Sequence, residues 1–418
     1  MTSYVLVINS GSSSMKYQLV DPAEGTAIAS GLIERIGGEG AATHKSRGES
    51  LTFTGPIPDH GAALRIMQQL FVDSQLALAD VELVAVGHRV VHGGAYFGDP
   101  VVVDDDVLQQ IRDLSVLAPL HNPANADGIA QAMMVFPGIP QVAVFDTAFF
   151  LDLPAAAATY AVDRKVAAEQ QIRRYGFHGT SHHYVSHLVP AVLGREVGEL
   201  KTIVLHLGNG ASASAVRFGS AVETSMGLTP LEGLVMGTRT GDIDPAVAFH
   251  LARVAGLGLD QIDELYHRRG GLKGLCGDND MRVVEARAGD RDKAARLALD
   301  VYCHRVRKYV GAYHAVLGRL DAITFTAGVG EHSAVVRARS LAGLEPLGIR
   351  IDAERNAVPA KAARLISPDG GAGGGTGSAS DGTPAVAGGS RVAVCVVPTD
   401  EELAIAEEVT ELLERAPA

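Results

Sequence analysis

Cysteine is scarce in this sequence of 418 residues, and basic residues are nowhere concentrated. The three cysteines, Cys276, Cys303 and Cys395, are far apart and form no CxxC pair, so neither a disulfide framework nor a cysteine-based zinc site is predicted. The formal net charge is −12, and the basic clusters at 173–174 and 267–269 are short. A nucleic-acid-binding face needs concentrated positive charge, so this class of function is excluded. Any anionic ligand must be attracted by a few local cations.

The chain also lacks a long uninterrupted apolar segment. The most apolar stretch, residues 142–162, is broken by Asp146, Asp152 and Pro154 and cannot cross a bilayer. The first residues lead directly into a strand pattern with no basic segment before it, so no signal peptide is predicted. We therefore expect a cytoplasmic protein, long enough for two or three domains.

Glycine, by contrast, is abundant, with 48 residues, and it marks one segment in particular. Residues 223–245 are rich in Gly, Thr and Ser and contain a single basic side chain, Arg239. Glycine lets a backbone approach a ligand closely, and short hydroxyls bind without bulk. Arg239 is therefore a candidate partner for a bound carboxylate or phosphate. The alternative is a structural loop in which Arg239 pairs with Asp242 or Asp244.

Two stretches of the sequence, residues 4–20 and 202–218, resemble each other. Each is a β-branched run, then a turn of Gly, Ser or Asn, then alternating small and apolar residues that suit a returning strand. We predict a β-hairpin at the start of each of two halves built on the same plan. The alternative is a chance similarity between two glycine-containing hairpins.

The remaining pattern alternates strands and helices and indicates an α/β protein with mixed sheets. Asn122 is predicted to cap one helix, which has a proline in its first turn. The longest helix is expected to bury a face that includes Tyr302, Tyr313 and Val316. Residues 367–390 contain almost nothing to bury and are predicted to be a surface loop. The predicted strands are 81–91, 141–145, 322–326 and 391–397, and the predicted helices are 104–117, 122–136, 292–317 and 401 to about 413.

Three glycine turns, each following a predicted strand, suit the binding of phosphate groups through backbone amides and hydroxyls. They lie in residues 9–16, 206–210 and 328–331. None is a Walker A loop, because the chain contains no GxxxxGK[ST] motif. Three such turns predict one extended anion in a cleft between two domains.

Isolated charged side chains complete the candidate site. Arg89 lies at a strand end, where a surface ion pair is its alternative role. Asp146 follows an apolar strand and must be paired, hydrogen-bonded or functional, unless it caps a helix. Glu401 and Glu402 begin a helix, a position that acidic residues favour in any case, and one of them could hold a hydrated Mg²⁺.

His178 is followed closely by His182 and His183, which raises the question of a metal site. The spacing is not HExxH, and no nearby carboxylate completes a ligand set, so zinc is not favoured. The three turns, the two arginines, His178 and the carboxylates together fit nucleotide-dependent phosphoryl transfer. In that reaction, positioning and charge neutralisation supply most of the catalysis.

Several long motifs, in this order along the chain, resemble the signature segments of the acetate kinase family. They are VLVINSGSSSMK, GHRVVHGG, APLHNP, FDTAFF, RYGFHGTSHHYV, HLGNG, ETSMGLTPLEGLVMGTRTGDIDP, AGVGE and PTDEEL. The resemblance covers essentially the whole chain except the glycine-rich insert. The family belongs to the superfamily of actin, the sugar kinases and Hsp70.

The resemblance implies an α/β fold of two duplicated RNase H-like domains with mixed sheets and a cleft between them. The N-terminal domain is expected to comprise residues 1–148 plus 401–418, and the nucleotide-binding domain residues 149–400 with an insert at 367–390. A homodimer is implied. So is a reversible, in-line transfer of the γ-phosphoryl group of ATP to acetate, giving acetyl phosphate and ADP, with Mg²⁺ as cofactor and Mn²⁺ as its substitute.

The resemblance also assigns roles to individual residues. Asn9 and Glu401 are expected to hold Mg²⁺, while Arg89 and Arg239 grip the acetate and the transferring phosphoryl group. His178 and Arg239 are expected to stabilise the transition state, with Asp146 catalytic. The residues expected around the acetate methyl are Val91, Leu120, Phe177 and Pro230. Those expected to contact the nucleotide are Ser12, Ser14, Lys16, His206, Leu207, Gly208, Asn209, Gly210, Asp280, Met281, Arg282, Gly328, Val329, Gly330, Glu331 and His332.

The sequence departs from the family pattern at two positions. His332 stands where the family usually has Asn, and Cys276 where it usually has Ser. The role of Asp146 also needs physical scrutiny, because acetate is already ionised at neutral pH and its attack requires no general base. We therefore expect Asp146 to orient Arg89 or the water shell of the metal.

Two other functions stay open at this stage. One is a kinase that prefers propionate or butyrate, since one methylene in an apolar pocket is worth only about 1–3 kcal/mol. The other is a non-enzymatic nucleotide switch like actin or Hsp70. A switch would have no reason to place two arginines and a histidine around a small apolar pocket.

Overall fold

The computed structural model describes residues 3–369 and 391–415, so most of the predicted loop at 367–390 lies outside the described residues. The described chain forms two compact units. Unit 1 contains residues 3–151, 179–181 and 400–415, and unit 2 contains residues 152–178, 182–369 and 391–399. Segments that are distant in the sequence therefore share a unit.

A mixed sheet forms the centre of unit 1. Its strands are β1 (Ser3–Ser10), β2 (Ser14–Asp21), β3 (Thr26–Glu34), β4 (Gly38–Ser46), β5 (Glu49–Ile57), β6 (Glu82–Val90), β7 (Val101–Val102) and β8 (Gln141–Phe145). Their order in the sheet is β5-β4-β3-β2-β1-β6-β8-β7. Strands β1, β6 and β8 are parallel, and the other neighbours are antiparallel. The predicted hairpin at 4–20 and the predicted strands at 81–91 and 141–145 are confirmed.

The helices of unit 1 cover both faces of its sheet. They are α1 (His60–Asp73), α2 (Asp105–Asp113), α3 (Asn122–Val135) and, much later in the sequence, α15 (Glu401–Arg415). Side chains alternate across a strand. Leu6 and Ile8 of β1 therefore join the apolar cluster of α1, whereas Val5 and Val7 join that of α15. Because both faces are buried, this strand is apolar without alternation.

Two buried asparagines of α3 hold the ends of neighbouring strands. The prediction that Asn122 caps this helix is wrong, because the helix begins at Asn122 itself. Its side chain instead accepts from the His92 N–H (3.1 Å) and donates to the His92 carbonyl (3.0 Å). Asn125 accepts from the Val91 N–H (3.1 Å) and donates to the Ser10 carbonyl (2.7 Å). A primary amide both donates and accepts, so each asparagine satisfies backbone groups at the end of β1 or just after β6.

Unit 2 repeats the central part of this plan. Its strands are β9 (Lys201–Leu207), β10 (Ala211–Arg217), β11 (Ser220–Thr224), β12 (Ala322–Thr326), β13 (Arg364–Leu365) and β14 (Ala393–Val396), in the order β11-β10-β9-β12-β14-β13. Each unit contains an antiparallel meander of three strands. Beyond the first strand of the meander, the sheet is extended by two parallel strands, which are β6 and β8 in unit 1 and β12 and β14 in unit 2. The second predicted hairpin and the shared plan are therefore confirmed.

The helices of unit 2 pack on this second sheet and on one another. They are α4 (Ala155–Ala158), α5 (Arg164–Glu169), α6 (Gly179–Leu193), whose first three residues belong to unit 1, α7 (Ala246–Val254), α8 (Leu259–Arg268), α9 (Gly271–Cys276), α10 (Met281–Gly289), α11 (Lys293–Leu317), α12 (Ala327–His332), α13 (Ala334–Leu341) and α14 (Ala353–Ala357). Within residues 3–369 and 391–415, no helix has the length and apolar character needed to cross a bilayer.

Two sequence expectations fail in unit 2. Helix α11 buries Tyr302 and Tyr313 as expected, but Val316 is 53% exposed because Leu317 takes the core position of the last turn. Residues 328–331 are not an open turn, because they form the body of α12. The reversal after β12 is made by Ala327, whose φ of +62° is unusual for a residue other than glycine.

Asn125 offers a test of how the strand ends of unit 1 are held. Replacing it by alanine leaves the buried Ser10 carbonyl and Val91 N–H without their partner, so we expect Asn125→Ala to lower the free energy of unfolding by about 1–3 kcal/mol. Urea denaturation would measure the change. Gln109→Ala, which removes an exposed amide paired with Asp113, is the control and should change stability by less than about 0.5 kcal/mol. An equal effect of the two substitutions would contradict the bridging role of Asn125.

Candidate active site

In unit 1, the strand order places Arg89 beside Asp146. Arg89 lies near the end of β6, opposite Val144 of the parallel strand β8, and Asp146 directly follows β8. The guanidinium donates two hydrogen bonds to the carboxylate, from Nε to Oδ1 (2.9 Å) and from Nη2 to Oδ2 (2.6 Å). Such a bidentate pair fixes the relative orientation of the guanidinium and carboxylate planes. Both carboxylate oxygens of Asp146 are thus engaged with Arg89.

The pair is largely shielded from solvent. The side chain of Asp146 is 3% exposed and that of Arg89 20%. Burial by itself disfavours the charge of Arg89, but the neighbouring carboxylates of Asp146 and Glu401 outweigh it and raise the pKa of the guanidinium. Arg89 therefore keeps its charge at every physiological pH.

Glu401 and Asn9 supply the oxygen atoms that were predicted to hold a metal. Glu401 is the first residue of α15, and its carboxylate lies 3.9 Å from Nε of Arg89. Asn9 lies near the end of β1, and within the described residues its side-chain amide makes no hydrogen bond. A magnesium ion takes hard oxygen ligands, usually one or two from the protein, and keeps several waters. The donor set therefore fits Mg²⁺ in its chemistry.

The remaining predicted site residues of unit 1 differ in their exposure and in their contacts. Lys16, opposite Asn9 in the hairpin, forms an ion pair of 2.5 Å with Glu402 of α15. Ser12 is exposed, and Ser14 is half-buried in a tight turn closed by a bond from the Gly11 N–H to the Ser14 carbonyl (2.8 Å). The predicted pocket residues differ in the same way, because Val91 is half-buried whereas Leu120 is 49% exposed.

Unit 2 contains a pocket of about 540 Å³ in which three predicted nucleotide segments meet. Its volume is in the usual range for a small-molecule site. The predicted residues that line it are Gly208, Asn209, Asp280, Met281, Arg282, Gly328, Val329 and His332, and the lining residues that the sequence reasoning missed are Leu272, Asn279, Glu285 and Ser333. Asn279 donates to the side chain of Asn209 (3.0 Å), and Ser333 donates to Glu285. The proximity of Asn279 to the segment 280–282 was the one available signal.

Other predicted nucleotide residues support the pocket without lining it. Leu207 is fully buried in β9. The carbonyls of Gly330 and Glu331 accept from Nη1 of Arg337 at 2.8 and 2.9 Å. Arg337 is only 1% exposed, and burial, together with the repulsion of Arg364, lowers its pKa to about 10, so its guanidinium remains charged at neutral pH. It fixes the last turn of α12 from within the core.

The turn at 208–210 joins this pocket to two groups suited to phosphoryl transfer. Gly208 and Asn209 line the pocket. A Cβ atom on Gly210 would lie 3.4 Å from Nε2 of His178 and 3.7 Å from Nη1 of Arg239. The missing side chain thus lets an imidazole and a guanidinium approach the same turn.

His178 and Arg239 are each held by neighbours in unit 2. His178 directly precedes α6 and has a left-handed backbone conformation, with a φ of +59°. Its ring stacks on that of His206 at a centroid distance of 4.3 Å. Arg239 donates to the Pro230 carbonyl (2.9 Å), and burial lowers the pKa of its guanidinium. Phe177, the residue before His178, is buried.

The alternative in which Arg239 pairs with Asp242 or Asp244 is wrong. Asp242 accepts from Tyr309 and from the Gly233 N–H, and it pairs with Arg305 at 3.4 Å. Asp244 accepts from the Ala246 N–H at the start of α7. Among the described residues, no carboxylate is paired with Arg239, which leaves its charge available to an anion.

Only one of the two departures from the family pattern reaches the pocket. His332 lines it, with its ring bonded to the Gly328 carbonyl at 2.9 Å. Cys276 is buried at the end of α9, where its Sγ lies 3.3 Å from the Leu272 carbonyl. A substitution of Asn by His therefore changes the pocket wall, whereas the substitution of Ser by Cys changes the packing behind it.

A nucleotide-sized pocket joined through a glycine turn to an imidazole and to a guanidinium that pairs with no carboxylate among the described residues defines the protein as a phosphotransferase of the α/β class. The model of the acetokinase family matches residues 4–373, and the chain belongs to that family. Membership makes the protein a kinase with ATP as its co-substrate.

Known relatives match over nearly their full lengths. An acetate kinase of Streptomyces avermitilis is 54% identical over 413 residues, which are 98% of this chain and 97% of that protein. The crystal structure of an acetate kinase from Porphyromonas gingivalis superposes with a TM-score of 0.89 at 37% identity, covering 98% of this chain and 100% of the other. A propionate kinase from Francisella tularensis gives a TM-score of 0.87 at 37% identity, covering 97% and 98%. The fold is accordingly that of the actin-like ATPases.

Gly237 provides a test of the pocket. A Cβ atom there would lie only 2.0 Å from Oδ1 of Asn209, so the Gly237→Ala side chain must displace Asn209 from the pocket wall. We expect about tenfold weaker ADP binding by calorimetry, equivalent to about 1.4 kcal/mol. The control is Gly311→Ala in α11, where the added Cβ meets no atom within 4 Å and affinity should be unchanged. Unchanged affinity in Gly237→Ala would exclude Asn209 from the nucleotide site.

Proposed function

We propose that this protein is an acetate kinase, which reversibly transfers the γ-phosphoryl group of ATP to acetate and gives acetyl phosphate and ADP. The observation that carries the proposal is the turn at 208–210. Its first two residues line the nucleotide-sized pocket, and its third lies against His178 and Arg239. A phosphoryl group leaving a nucleotide in that pocket would meet these two side chains.

The named relatives support acetate as the acceptor. The curated proteins that are 54–56% identical to this chain are named acetate kinases. The two solved relatives at 37% identity are named for acetate and for propionate, so likeness of fold alone does not select the acid. We infer acetate from the sequence relatives.

Arg239 and His178 are assigned to the transferring group. In phosphoryl transfer, negative charge is spread over the equatorial oxygens in the transition state, and preorganised donors stabilise it. Arg239 needs no reorganisation of an ion pair to take that role, because no carboxylate competes for it among the described residues. Nε2 of His178 lies on the side of Gly210, 3.4 Å from the position of a Cβ atom on that glycine.

Arg89 is assigned to the acetate carboxylate, and Asp146 to the positioning of Arg89. Both carboxylate oxygens of Asp146 accept hydrogen bonds from this guanidinium. A carboxylate used in this way fixes the direction in which the remaining N–H groups of Arg89 point. Since acetate is already ionised, no proton need pass to Asp146.

Asn9 and Glu401 are assigned to Mg²⁺. When bound, the ion neutralises charge on the nucleotide phosphates and orients them. Asn9 would contribute an amide oxygen from near the end of β1, and Glu401 a carboxylate oxygen from the start of α15.

The acetate methyl group is assigned to a pocket formed by Val91, Leu120, Phe177 and Pro230.

The protein is also proposed to be a homodimer. In support of a dimer, α7 has no buried residue, and Phe249 and Val254 are 59% and 71% exposed. An apolar helix of this kind is covered in many oligomers. Sedimentation equilibrium would test it, and a monomer at micromolar concentration would count against the dimer.

The function is tested by a hydroxamate assay for acetyl phosphate. We expect the wild type to form it from ATP and acetate, and Arg239→Ala to lower kcat about a thousandfold, as is typical for an arginine that stabilises a transferring phosphoryl group. Arg268→Ala, at an exposed position on α8, is the control. Full activity of Arg239→Ala would remove the proposed site, and intact ATP binding without acetyl phosphate would favour a nucleotide switch. A higher kcat/KM for propionate or butyrate than for acetate would identify the alternative kinases.

Asp146→Asn separates positioning from proton transfer. The variant keeps one acceptor oxygen but loses the charge that aligns Arg89, so we expect a lower kcat and an acidic limb of the pH–rate profile at the wild-type position. Steady-state rates across that limb, with a thermal unfolding scan to confirm folding, would measure both. Disappearance of the limb in Asp146→Asn would instead show that Asp146 transfers a proton.

A further inference from the structure

Two histidines and two serines of unit 2 are spaced so that their side chains interleave. His178 and His182 are four residues apart at the start of α6, and Ser212 and Ser214 are two apart on β10. Four residues of helix rise about 6 Å, and two residues of strand rise about 6.6 Å. The two pairs therefore present their polar atoms at the same interval.

The four side chains form one continuous hydrogen-bonded row. Nδ1 of His178 lies 2.9 Å from Oγ of Ser212. The same oxygen lies 2.7 Å from Nε2 of His182, whose Nδ1 lies 2.7 Å from Oγ of Ser214. His182, Ser212 and Ser214 are fully buried. We call this row the serine–histidine chain.

Ser214, at the end of the serine–histidine chain away from His178, determines which atom is the donor in each hydrogen bond. Within the described residues, Nδ1 of His182 is the only hydrogen-bond partner of the Ser214 hydroxyl. If His182 donated from Nδ1, the buried hydroxyl hydrogen of Ser214 would have no protein acceptor, which is costly. Ser214 is therefore the donor, and Nδ1 of His182 is the acceptor.

The remaining assignments follow one by one. Burial keeps the pKa of His182 well below its ordinary value, so its ring is neutral and carries its single proton on Nε2. That N–H donates to Oγ of Ser212. The hydroxyl of Ser212 then donates to Nδ1 of His178, and the proton of a neutral His178 must be on Nε2.

We propose that the serine–histidine chain fixes His178 as the neutral tautomer protonated at Nε2, with Ser212 and Ser214 as positioning residues. The inference rests on the proposed function for its purpose, because an Nε2–H donor beside Gly210 can bind an oxygen of the transferring phosphoryl group. It supplies a hydrogen bond without requiring a cationic ring. If Nδ1 were protonated instead, Ser212 would have to accept from both histidines, and its buried hydroxyl hydrogen would have no acceptor among the described residues unless the rest of the chain reversed as well.

The other groups that face His178 in unit 2 are compatible with a neutral ring. His206 of β9 stacks on it at 4.3 Å, and it also lies 6.1 Å from the ring of His182. The guanidinium of Arg239 lies across the same glycine, Gly210. The permanent cation of Arg239 disfavours a second positive charge on the imidazole that faces the same glycine.

The tautomer is measured directly by ¹⁵N NMR of the full chain labelled in histidine, with the His178 signals identified by their loss in His178→Gln. At pH 7 without substrate, we expect Nδ1 of His178 to be an unprotonated acceptor and Nε2 to carry the proton. The opposite assignment in the wild type, or a cationic ring, would overturn the proposal.

Three alanine variants locate the effect. Ser212→Ala removes the partner of Nδ1, so its resonance should move and the other tautomer or the cation should become populated. Ser214→Ala should produce a smaller change in the same direction, although Ser214 does not contact His178. Ser225→Ala removes another buried hydroxyl, which accepts from the Ala213 N–H, and should leave the His178 signals unchanged. Unfolding scans establish that each variant is folded.

Kinetics give the second readout. In Ser212→Ala we expect kcat to fall roughly tenfold with KM for ATP unchanged, less than the ~10²–10³-fold loss that follows removal of a whole donor. Unchanged signals and unchanged kcat in Ser212→Ala would overturn the proposal, and a silent Ser214→Ala would remove Ser214 and His182 from it. An inactive wild type that shows the expected tautomer would count against the proposed function alone.

Discussion

Charged and polar side chains at the ends of buried apolar strands impose the constraint on which both units depend. Arg89 and Asp146 meet this constraint through two parallel hydrogen bonds between neighbouring strands. An unpaired charge at either position would cost several kcal/mol, so the pairing stabilises both residues at these buried strand ends. The asparagines of α3 meet the same need for the backbone, because Asn125 bridges the last residue of β1 and the residue that follows β6. The chemistry and the stability of unit 1 therefore share the same atoms.

Unit 2 meets the constraint with glycine and hydroxyl groups rather than with an ion pair. Its functional groups approach the turn at 208–210 because Gly210 and Gly237 leave room for them. Arg239 is stabilised by a carbonyl instead of a carboxylate, which leaves its charge uncompensated within the described residues. The two units thus hold their arginines in opposite ways, one neutralised by the protein and one not.

Much of this arrangement could be predicted from local sequence. The positions of Asn9, Asp146 and the turn at 206–210 at or near strand ends were identified because periodicity and glycine report backbone conformation directly. The failures depend on contacts between distant segments. The side chain of Asn122 looks like a cap, but it is used by His92, thirty residues earlier. Asp242 is close to Arg239 in sequence, yet it faces Tyr309 of α11.

The pocket illustrates the same limit. Leu272 and Glu285 carry no motif, and they line the pocket only because α9 and α10 pack beside the turn at 208–210. The sequence likewise does not show which histidine pairs with which serine in the serine–histidine chain. The matching spacings of the two residue pairs on helix and strand become apparent only when the pairing is known. Sequence reports what a residue can do, whereas packing determines which residue is its partner.

The packing of α15 on the first sheet has a consequence for biosynthesis. Ile405, Ala406 and Val409 cover Val5 and Val7 of β1 and Val142 and Val144 of β8. While the chain is being made, nearly four hundred residues leave the ribosome before this cover exists. One face of the first sheet then stays exposed to the cell, although its strands were synthesised first. Completion of the first sheet therefore waits for α15, and until then its apolar face is exposed to aggregation.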